Sequence, residues 1–334
     1  MRKHVWLGLI LLFSILAACS SDNSKSKVTD DDQSEELADQ GVYPLTGEQT
    51  DERVDKRVIA VMVNNHTAAR PQSGISKADI VYEFLAEGQI TRLLALYQSD
   101  LPENIGPVRS ARSYFYEIAA GFDALYTYHG AANFINKDIE ESGIDYADGA
   151  KYDNDRELFK RTTDRQPPHN SYLLTSGLEQ LLQSKGYATE MAIDPLPFSN
   201  ENRDEGSQVS EVTITYGPNE TVTYTYDLEK EQYLRASDGE ASVDKETNEQ
   251  VALENVLIIH TSHEVVDDDG RRDIDLTSGG KGYLLQNGEQ IDVEWKNKDG
   301  RILPYQDGEL VPFKQGQTWV NVVPEEPGMV SVNE

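Results

Sequence analysis

Val58-Ile59-Ala60-Val61-Met62-Val63 decides the fold, because a short continuous apolar run predicts a strand that is buried on both faces. Residues 78–85, 92–98 and 123–128 predict further strands in the same region. These strands alternate with helical patterns, which favours a mixed α/β domain with a central sheet and flanking helices.

The predicted helices lie between and after these strands. An apolar stripe at helical spacing predicts the first helix over residues 114–119, with Ser110 as its N-cap and Gly121 at its end. Residues 134–139 and 178–182 predict two more helices.

The second half of the chain has the period of β-strands. Residues 212–216 and 221–226 are rich in β-branched and aromatic residues that alternate with a period of two. Hairpin-type dipeptides follow at Asp238-Gly239, Asn287-Gly288, Asp299-Gly300 and Asp307-Gly308. The expected fold class is therefore mixed α+β, with an N-terminal α/β domain and a C-terminal, mostly antiparallel β domain.

Shifts in composition divide the chain into predicted parts. They are a signal peptide at 1–18, a lipidated cysteine with an acidic flexible tether at 19–55, the α/β domain at 56–195, a linker at 196–208 and the β-rich domain at 209–334. The tether is polar and acidic and cannot bury enough apolar surface to fold.

The N-terminus has the features of a bacterial lipoprotein. A positive start and a short apolar core precede Leu16-Ala17-Ala18-Cys19, which resembles the lipobox, and Cys19 is the only cysteine. The resemblance implies that Cys19 is diacylated and anchors the protein to the extracytoplasmic face of the cell membrane. The alternative is an ordinary signal peptide followed by an incidental free cysteine.

The net charge of the chain disfavours some classes of binding partner. It carries 30 basic and 59 acidic residues, which gives a net charge of −29. This balance argues against nucleic-acid binding, which needs a basic surface. It also disfavours electrostatic docking on anionic lipid, so the acyl anchor is the expected contact with the membrane. A cell-wall component or a protein partner is the expected ligand.

A polar stretch directly follows the buried strand. Asn64-Asn65-His66 and Arg70 lie where ligands bind in an open α/β sheet, and their side chains supply many hydrogen-bond donors. The alternative is a polar turn whose side chains form hydrogen bonds with otherwise unpaired backbone groups.

Arginines mark a second stretch, at Arg92, Arg109 and Arg112. The last two are predicted at or within the first turn of a helix, where cations are disfavoured unless an anion lies beside the free backbone donors. That anion is either a bound phosphate or sugar acid, or a carboxylate of this chain. The many carboxylates favour an internal salt bridge, with Glu83, Glu87 and Asp123 as candidates. The predicted ligand-binding residues are thus Asn65, His66, Arg70, Arg92, Arg109 and Arg112.

Catalytic chemistry has few candidates in this sequence. His129 and His169 lie in polar loops and could act as general acid or base if those loops meet, although a lone histidine is more often structural. No nucleophile is marked by its spacing, and the phosphate-binding and calcium-loop patterns are incomplete. Joint metal binding by His260 and His263 is not expected, because residues three apart on a strand point to opposite faces. We therefore predict no metal and no cofactor.

The same stretches carry a family resemblance. They are Pro44-Leu45-Thr46-Gly47, residues 61–66, 69–74, 78–83, 87–92 and 105–112, and, in the second half, residues 233–235, 255–256 and 317–320. In these motifs the chain resembles the YerB-like family of two-domain bacterial lipoproteins, which is largely uncharacterised. The resemblance implies an α/β domain followed by a β-rich domain, and it implies no reaction.

A looser similarity points to cell-wall glycopolymer transferases of the LytR-CpsA-Psr type, which bind a lipid pyrophosphate through arginines. It is carried by an arginine-containing turn and by residues 128–132, but the chain lacks their Pro-Arg-Asp turn, because Ser110 follows Arg109.

Two functions follow as expectations. The first is a non-catalytic, membrane-anchored envelope lipoprotein that binds a wall component or a protein partner through these loops. The alternative is a cell-wall enzyme that acts on an anionic, phosphate-containing glycan precursor. In that case the arginines would neutralise phosphate, and His129 or His169 would move the proton.

Overall fold

The structure, a computed structural model, describes residues 41–201, 206–218, 220–325 and 329–333. The predicted signal peptide, Cys19 and the first part of the predicted tether lie outside the described residues. Within the described ranges, no helix is both long enough and apolar enough to span a bilayer.

The first half of the chain contains strands β1 to β10 and helices α1 to α3. The strands are Gly41–Val42, Gln49–Thr50, Ile59–Asn64, Ile80–Leu85, Thr91–Tyr97, Asn104–Ile105, Leu125–Tyr128, Tyr146–Asp148, Phe159–Arg161 and Ser171–Leu174. The helices are Ser113–Ala120, Asn133–Ser142 and Leu178–Lys185. Short 3-10 turns cover Thr67–Ala69, Ile75–Lys77 and Thr175–Gly177.

The second half contains strands β11 to β25 and no α-helix among its described residues. The strands are Ser207–Gln208, Glu211–Gly217, Glu220–Asp227, Gln232–Ser237, Glu240–Ala241, Ala252–Leu253, Asn255–Thr261, His263–Val265, Arg272–Ile274, Gly280–Gln286, Glu289–Lys298, Arg301–Gln306, Glu309–Leu310, Thr318–Pro324 and Val330–Asn333.

A twelve-stranded mixed sheet runs through both halves. Its order is β23-β22-β21-β20-β17-β24-β4-β5-β3-β7-β8, and β11 pairs with β21. β24 of the second half pairs in parallel with β4 of the first half, so that Thr318 lies opposite Ile80. A separate six-stranded antiparallel sheet contains β12 to β16 and β25. The predicted α+β class is confirmed, whereas the domain boundary at 196–208 stays a prediction.

Both faces of the large sheet are covered, as the apolar run at 58–63 predicts. Along β3, Ala60 and Met62 pack into one core and Val61 and Val63 into the other, because successive strand residues point to opposite faces. Buried residues of α1 and α2 complete the first core. Buried residues of α3 and of the six-stranded sheet complete the second core.

The four hairpin dipeptides are confirmed. In each of them both residues have positive φ, for example 52° at Asn287 and 76° at Gly288. This geometry suits the twist of a two-residue hairpin and favours Asn, Asp and Gly.

Part of the segment predicted as tether is folded. β1 and β2 form a hairpin over residues 41–50, and its Leu45 is 1% exposed in the first core. The whole turn Pro44-Leu45-Thr46-Gly47 is buried, which orders this short hairpin, and the average composition of residues 19–55 does not reveal it.

The prediction of Ser110 as the N-cap of the first helix is wrong. α1 begins at Ser113, its N-cap is Arg112, and the Ser110 hydroxyl donates to the carbonyl of His129 over 3.3 Å. The backbone N–H of Ala111 donates to the carbonyl of Gly130 over 3.1 Å. These two hydrogen bonds to the residues after β7 hold residues 110 and 111 outside the helix, so the helix begins later than the local sequence pattern predicts.

A buried ion pair joins the two halves. Arg235 Nη2 donates to both carboxylate oxygens of Glu83, over 2.9 and 3.1 Å, and the two side chains are 2% and 0% exposed. Trp319 Nε1 donates to the same carboxylate over 2.9 Å, and the guanidinium lies 4.5 Å from the centroid of the indole ring. Charges buried this deeply are tolerated only when paired and hydrogen-bonded.

Candidate functional site

The candidate site lies at the carboxyl ends of the parallel strands. β3, β7 and β8 are parallel neighbours, and β4 runs in the same direction because β5 is antiparallel to both β3 and β4. The loops that follow these strands therefore meet at one edge of the sheet. In open α/β sheets this edge is where ligands bind.

Two histidines from different loops meet at this edge. The rings of His66 and His169 have centroids 4.7 Å apart and planes inclined by 33°. Backbone N–H groups can only donate, so they decide which ring nitrogen carries the proton. Ala68 N donates to His66 Nδ1 over 3.0 Å, and the proton of neutral His66 is therefore on Nε2.

Asn64 fixes the second ring in the same way. The backbone N–H of His66 donates to Asn64 Oδ1 over 3.1 Å, which orients the amide. Asn64 Nδ2 then donates to His169 Nδ1 over 2.8 Å, so neutral His169 also carries its proton on Nε2. Within the described ranges neither Nε2–H has an acceptor, and both are available to a ligand.

Arg109 adds a guanidinium to this pair. Its backbone is fixed between two strand ends, because its N–H donates to Met62 over 2.8 Å and its carbonyl accepts from His129 over 2.9 Å. Its side chain has no ion pair and no hydrogen bond among the residues that the structure describes. Burial lowers the pKa of Arg109, the charge of Arg112 lowers it further, and Glu87 opposes both effects.

The charge of Arg109 reaches His169. Burial lowers the pKa of His169, and the charges of His66 and Arg109 lower it further. The lowered pKa favours the neutral form of His169, whose proton lies on Nε2. We call His66, Arg109 and His169 the anion site, because they present donors only.

Arg92 and Arg112 share one carboxylate beside the anion site. Arg92 Nη2 lies 3.1 Å from Glu87 Oε2, and Arg112 contacts Glu87 Oε1. Burial and the charge of Arg112 lower the pKa of Arg92 to about 10, against the effect of Glu87. The internal salt bridge that the sequence favoured is thus present for Arg92 and Arg112, with Glu87 as the anion, and is absent for Arg109 in the described part of the chain.

Asn65 and Arg70 face the β-rich half. Arg70 pairs with Glu220 over 2.7 Å and with Asp238 over 2.6 Å. Asn65 Nδ2 donates to Thr91 Oγ1 over 2.7 Å. These contacts hold the loop after β3 against β13 and the β14–β15 turn, so the structure does not bring Asn65 and Arg70 into the anion site.

His129 has both ring nitrogens occupied. Arg161 Nη2 donates to His129 Nε2 over 3.2 Å, so the proton is on Nδ1, which donates to Ser171 Oγ over 2.8 Å. Burial lowers the pKa of His129, and the charge of Arg161 lowers it further. His129 therefore joins the end of β7 to β9 and β10.

The sequence does not reveal the contacts of three residues that build this edge. Asn64 belongs to the candidate stretch, but its orienting role depends on His169, which lies 105 residues further along the chain. Arg161 and Ser171 contact His129 across 32 and 42 residues. No local pattern carries contacts at such separations.

A metal site is not part of this geometry. Among the described residues, no three or more His, Cys, Asp or Glu side chains are grouped so that they could hold a metal ion.

Comparison with known proteins gives the family. Residues 45–188 match the N-terminal domain, and residues 212–320 the C-terminal domain, of DUF3048, which is described as a protein of unknown function. The chain belongs to the DUF3048 family. It is 44% identical over 322 residues to the protein named "Putative lipoprotein YerB" of Bacillus subtilis (strain 168), which spans 95% of this chain and 94% of that protein.

A solved structure agrees with the fold of this DUF3048 chain. The crystal structure of YerB from Bacillus subtilis superposes with a TM-score of 0.83 at 44% identity, covering 88% of this chain and 100% of that one. The resemblance to the YerB-like family is thus confirmed. The anion site lies wholly in the N-terminal DUF3048 region, since His66, Arg109 and His169 fall within residues 45–188.

Proposed function

We propose that this DUF3048 protein is a membrane-anchored, extracytoplasmic lipoprotein that binds an anionic component of the cell envelope without catalysis. The observation that carries the proposal is the anion site. There, two imidazole N–H groups and one guanidinium have no acceptor among the described residues.

The chemistry of these donors supports an anionic ligand. A phosphate or carboxylate oxygen offers only lone pairs and therefore matches a set of donors. The planar guanidinium of Arg109 can bind two oxygens of one such group side by side. Neighbouring Arg92 and Arg112 share the carboxylate of Glu87, whereas Arg109 has no ion pair among the described residues.

The proposed anchor supports a ligand outside the cytoplasm. Leu16-Ala17-Ala18-Cys19 resembles a lipobox, and the Bacillus subtilis relative is named as a lipoprotein. A protein held there by acyl chains meets phosphate- and carboxylate-bearing wall polymers. We therefore propose a wall component as the ligand of the anion site.

The hydrogen bonds of the histidines support binding over acid–base catalysis. A general base needs a free lone pair, but the basic nitrogens of His66, His129 and His169 all accept hydrogen bonds within the chain. A wall enzyme that uses His129 or His169 would first have to break one of these bonds.

Co-sedimentation with purified cell walls tests the proposal. The protein and its Arg109→Met variant are mixed with walls, and with walls from which phosphate-bearing polymers have been extracted. Lys137→Met, which removes an exposed lysine paired with Glu141 on α2, is the matched control. We expect the protein and the control to sediment with intact walls, and Arg109→Met to stay in the supernatant.

Two results would contradict the proposal. Equal sedimentation of Arg109→Met and the control would remove the anion site from binding. Release of phosphate or of altered glycan from the walls during incubation would establish the enzymatic alternative.

A further inference from the structure

A second concave site lies on the loop after β3, next to the junction of the two halves. Its volume is about 380 Å³, and its walls are formed by residues 65–72 on one side and by the β14–β15 turn on the other. Cavities of about 300–1,000 Å³ are typical of small-molecule sites. None of the anion-site residues lines it.

The arginines on its walls are already neutralised. Arg70 is paired with Glu220 and Asp238, and Arg235 is paired with Glu83. A ligand in this cavity therefore gains little from carrying a net charge of its own, because each arginine has its counter-ion.

The hydroxyl groups of Ser237 and Ser242, on one wall, accept hydrogen bonds from Arg235 and can donate to a ligand. Arg235, whose side chain is 2% exposed, donates from Nη1 to Ser237 Oγ over 2.7 Å and to Ser242 Oγ over 2.5 Å. The two hydroxyl oxygens lie 3.4 Å apart, so at most one of their protons is used between them. At least one hydroxyl proton is left for a ligand.

The opposite wall offers an acceptor. Gln72, which is 6% exposed, uses its Nε2 to donate to the carbonyl of Asn64 over 3.1 Å and to Asn65 Oδ1 over 2.9 Å. Its Oε1 accepts no hydrogen bond from the described residues. On the wall of the two serines, the exposed carboxylate of Glu240 adds further acceptors.

We infer that this cavity binds an uncharged polyhydroxyl ligand, a sugar of one or two rings. A sugar hydroxyl donates and accepts at once, and so matches a cavity that offers both a free hydroxyl donor and free acceptors. The two walls belong to the N-terminal and C-terminal DUF3048 regions, so the ligand bridges both. The inference uses other residues than the proposed function does and stands independently of it.

NMR titration of the isotopically labelled protein tests the inference. The probes are glucose, N-acetylglucosamine and their 1,4-linked disaccharides, and the readout is the backbone amide signals. We expect saturable shifts confined to residues 67–72 and 237–243, and no competition by sulfate, which is directed at the anion site.

Variants that fill the cavity give the decisive comparison. Ala241 is exposed on β15 and lines the cavity, so Ala241→Trp places an indole in it. Leu228→Trp, at a residue that is 83% exposed outside the cavity, is the matched control. We expect Ala241→Trp to weaken sugar binding by about tenfold or more, which corresponds to 1.4 kcal/mol, and Leu228→Trp to leave it unchanged.

The outcomes that overturn the inference are definite. They are the absence of saturable shifts with all four sugars, shifts spread over the whole surface, or equal affinity in Ala241→Trp and Leu228→Trp. If Ala241→Trp does not fold, Thr67→Trp on the opposite wall takes its place. If sugar binding fails in this way but Arg109→Met still loses wall binding, the sugar inference is wrong and the proposed function is still supported.

Discussion

Arg109 and Arg112 lie three residues apart, yet their surroundings differ. Arg112 meets the carboxylate of Glu87, whereas Arg109 is partly buried and has no partner in the described residues. Desolvating a cation without pairing it costs free energy. Such a cost is typical of a binding site that is completed by its ligand, and Arg109 is therefore the central residue of the anion site.

Arg235 carries the first residue-scale prediction. Arg235→Met leaves Glu83 buried and unpaired, which should lower the free energy of unfolding by about 3–5 kcal/mol. The double variant Glu83→Gln with Arg235→Met removes that lone charge and should be more stable than Arg235→Met. Urea denaturation followed by tryptophan fluorescence measures both values, with Lys137→Met as a control. Equal losses in the single and double variants would contradict the role of the ion pair.

Glu220 carries a prediction about pH. Burial raises the pKa of Glu220 to about 7 from 4.5, and the charge of Arg70 opposes this shift only in part. The folded state therefore binds this proton more tightly than the unfolded state does. Its contribution to stability is fully present below pH 4.5 and is lost as pH rises through about 7.

The expected loss from this carboxyl is about 1–3 kcal/mol, because one pKa unit corresponds to 1.36 kcal/mol. Denaturation at a series of pH values should show a flatter profile for Glu220→Gln than for the unchanged protein. Glu229→Gln, at an exposed turn, is the control. If the stability of Glu220→Gln depends on pH in the same way as that of the unchanged protein, Glu220 is not the group responsible.

At the scale of elements, the packing of β8 against β9 depends on Gly149. A Cβ at this position would lie 2.7 Å from a ring carbon of Phe159 and 2.8 Å from His129 Nδ1. Gly149→Ala should therefore lower the free energy of unfolding by about 1–3 kcal/mol, as overpacking does. It should also shift the imidazole NMR signals of His129, since the added Cβ crowds the Nδ1 that bonds to Ser171. Unchanged stability and unchanged signals, as expected for the neighbouring control Ala150→Ser, would contradict this packing.

Elements with a strong local signal could be predicted from the sequence. The apolar run at 58–63 became β3, and the Asn-Gly and Asp-Gly dipeptides became hairpin turns, because both signals lie within a few residues. The parallel pairing of β24 with β4 joins residues more than two hundred positions apart, and no periodicity encodes it. For the same reason His66 and Arg109 could be chosen as candidates, but their meeting with His169 could not be predicted.

At the scale of the whole molecule, the described residues form one compact unit, and the proposed anchor precedes them in the sequence. We predict that the protein partitions into the detergent phase with membrane lipoproteins and incorporates labelled palmitate. Cys19→Ser should abolish both, because the cysteine sulfur is the proposed acylation site. Fractionation of cells that express each form measures the effect. Retention of Cys19→Ser in the membrane fraction would favour another mode of attachment.

The anion site itself is tested most directly by calorimetric titration with sulfate, an anion that has no proton to donate under these conditions. We predict saturable binding of one sulfate per chain. Arg109→Met should weaken this binding by about tenfold to a hundredfold, because hydrogen bonds to charged groups contribute about 1.5–3 kcal/mol. Lys137→Met should leave it unchanged. No saturable binding to the protein, or equal affinities for Arg109→Met and Lys137→Met, would contradict the proposed anion site.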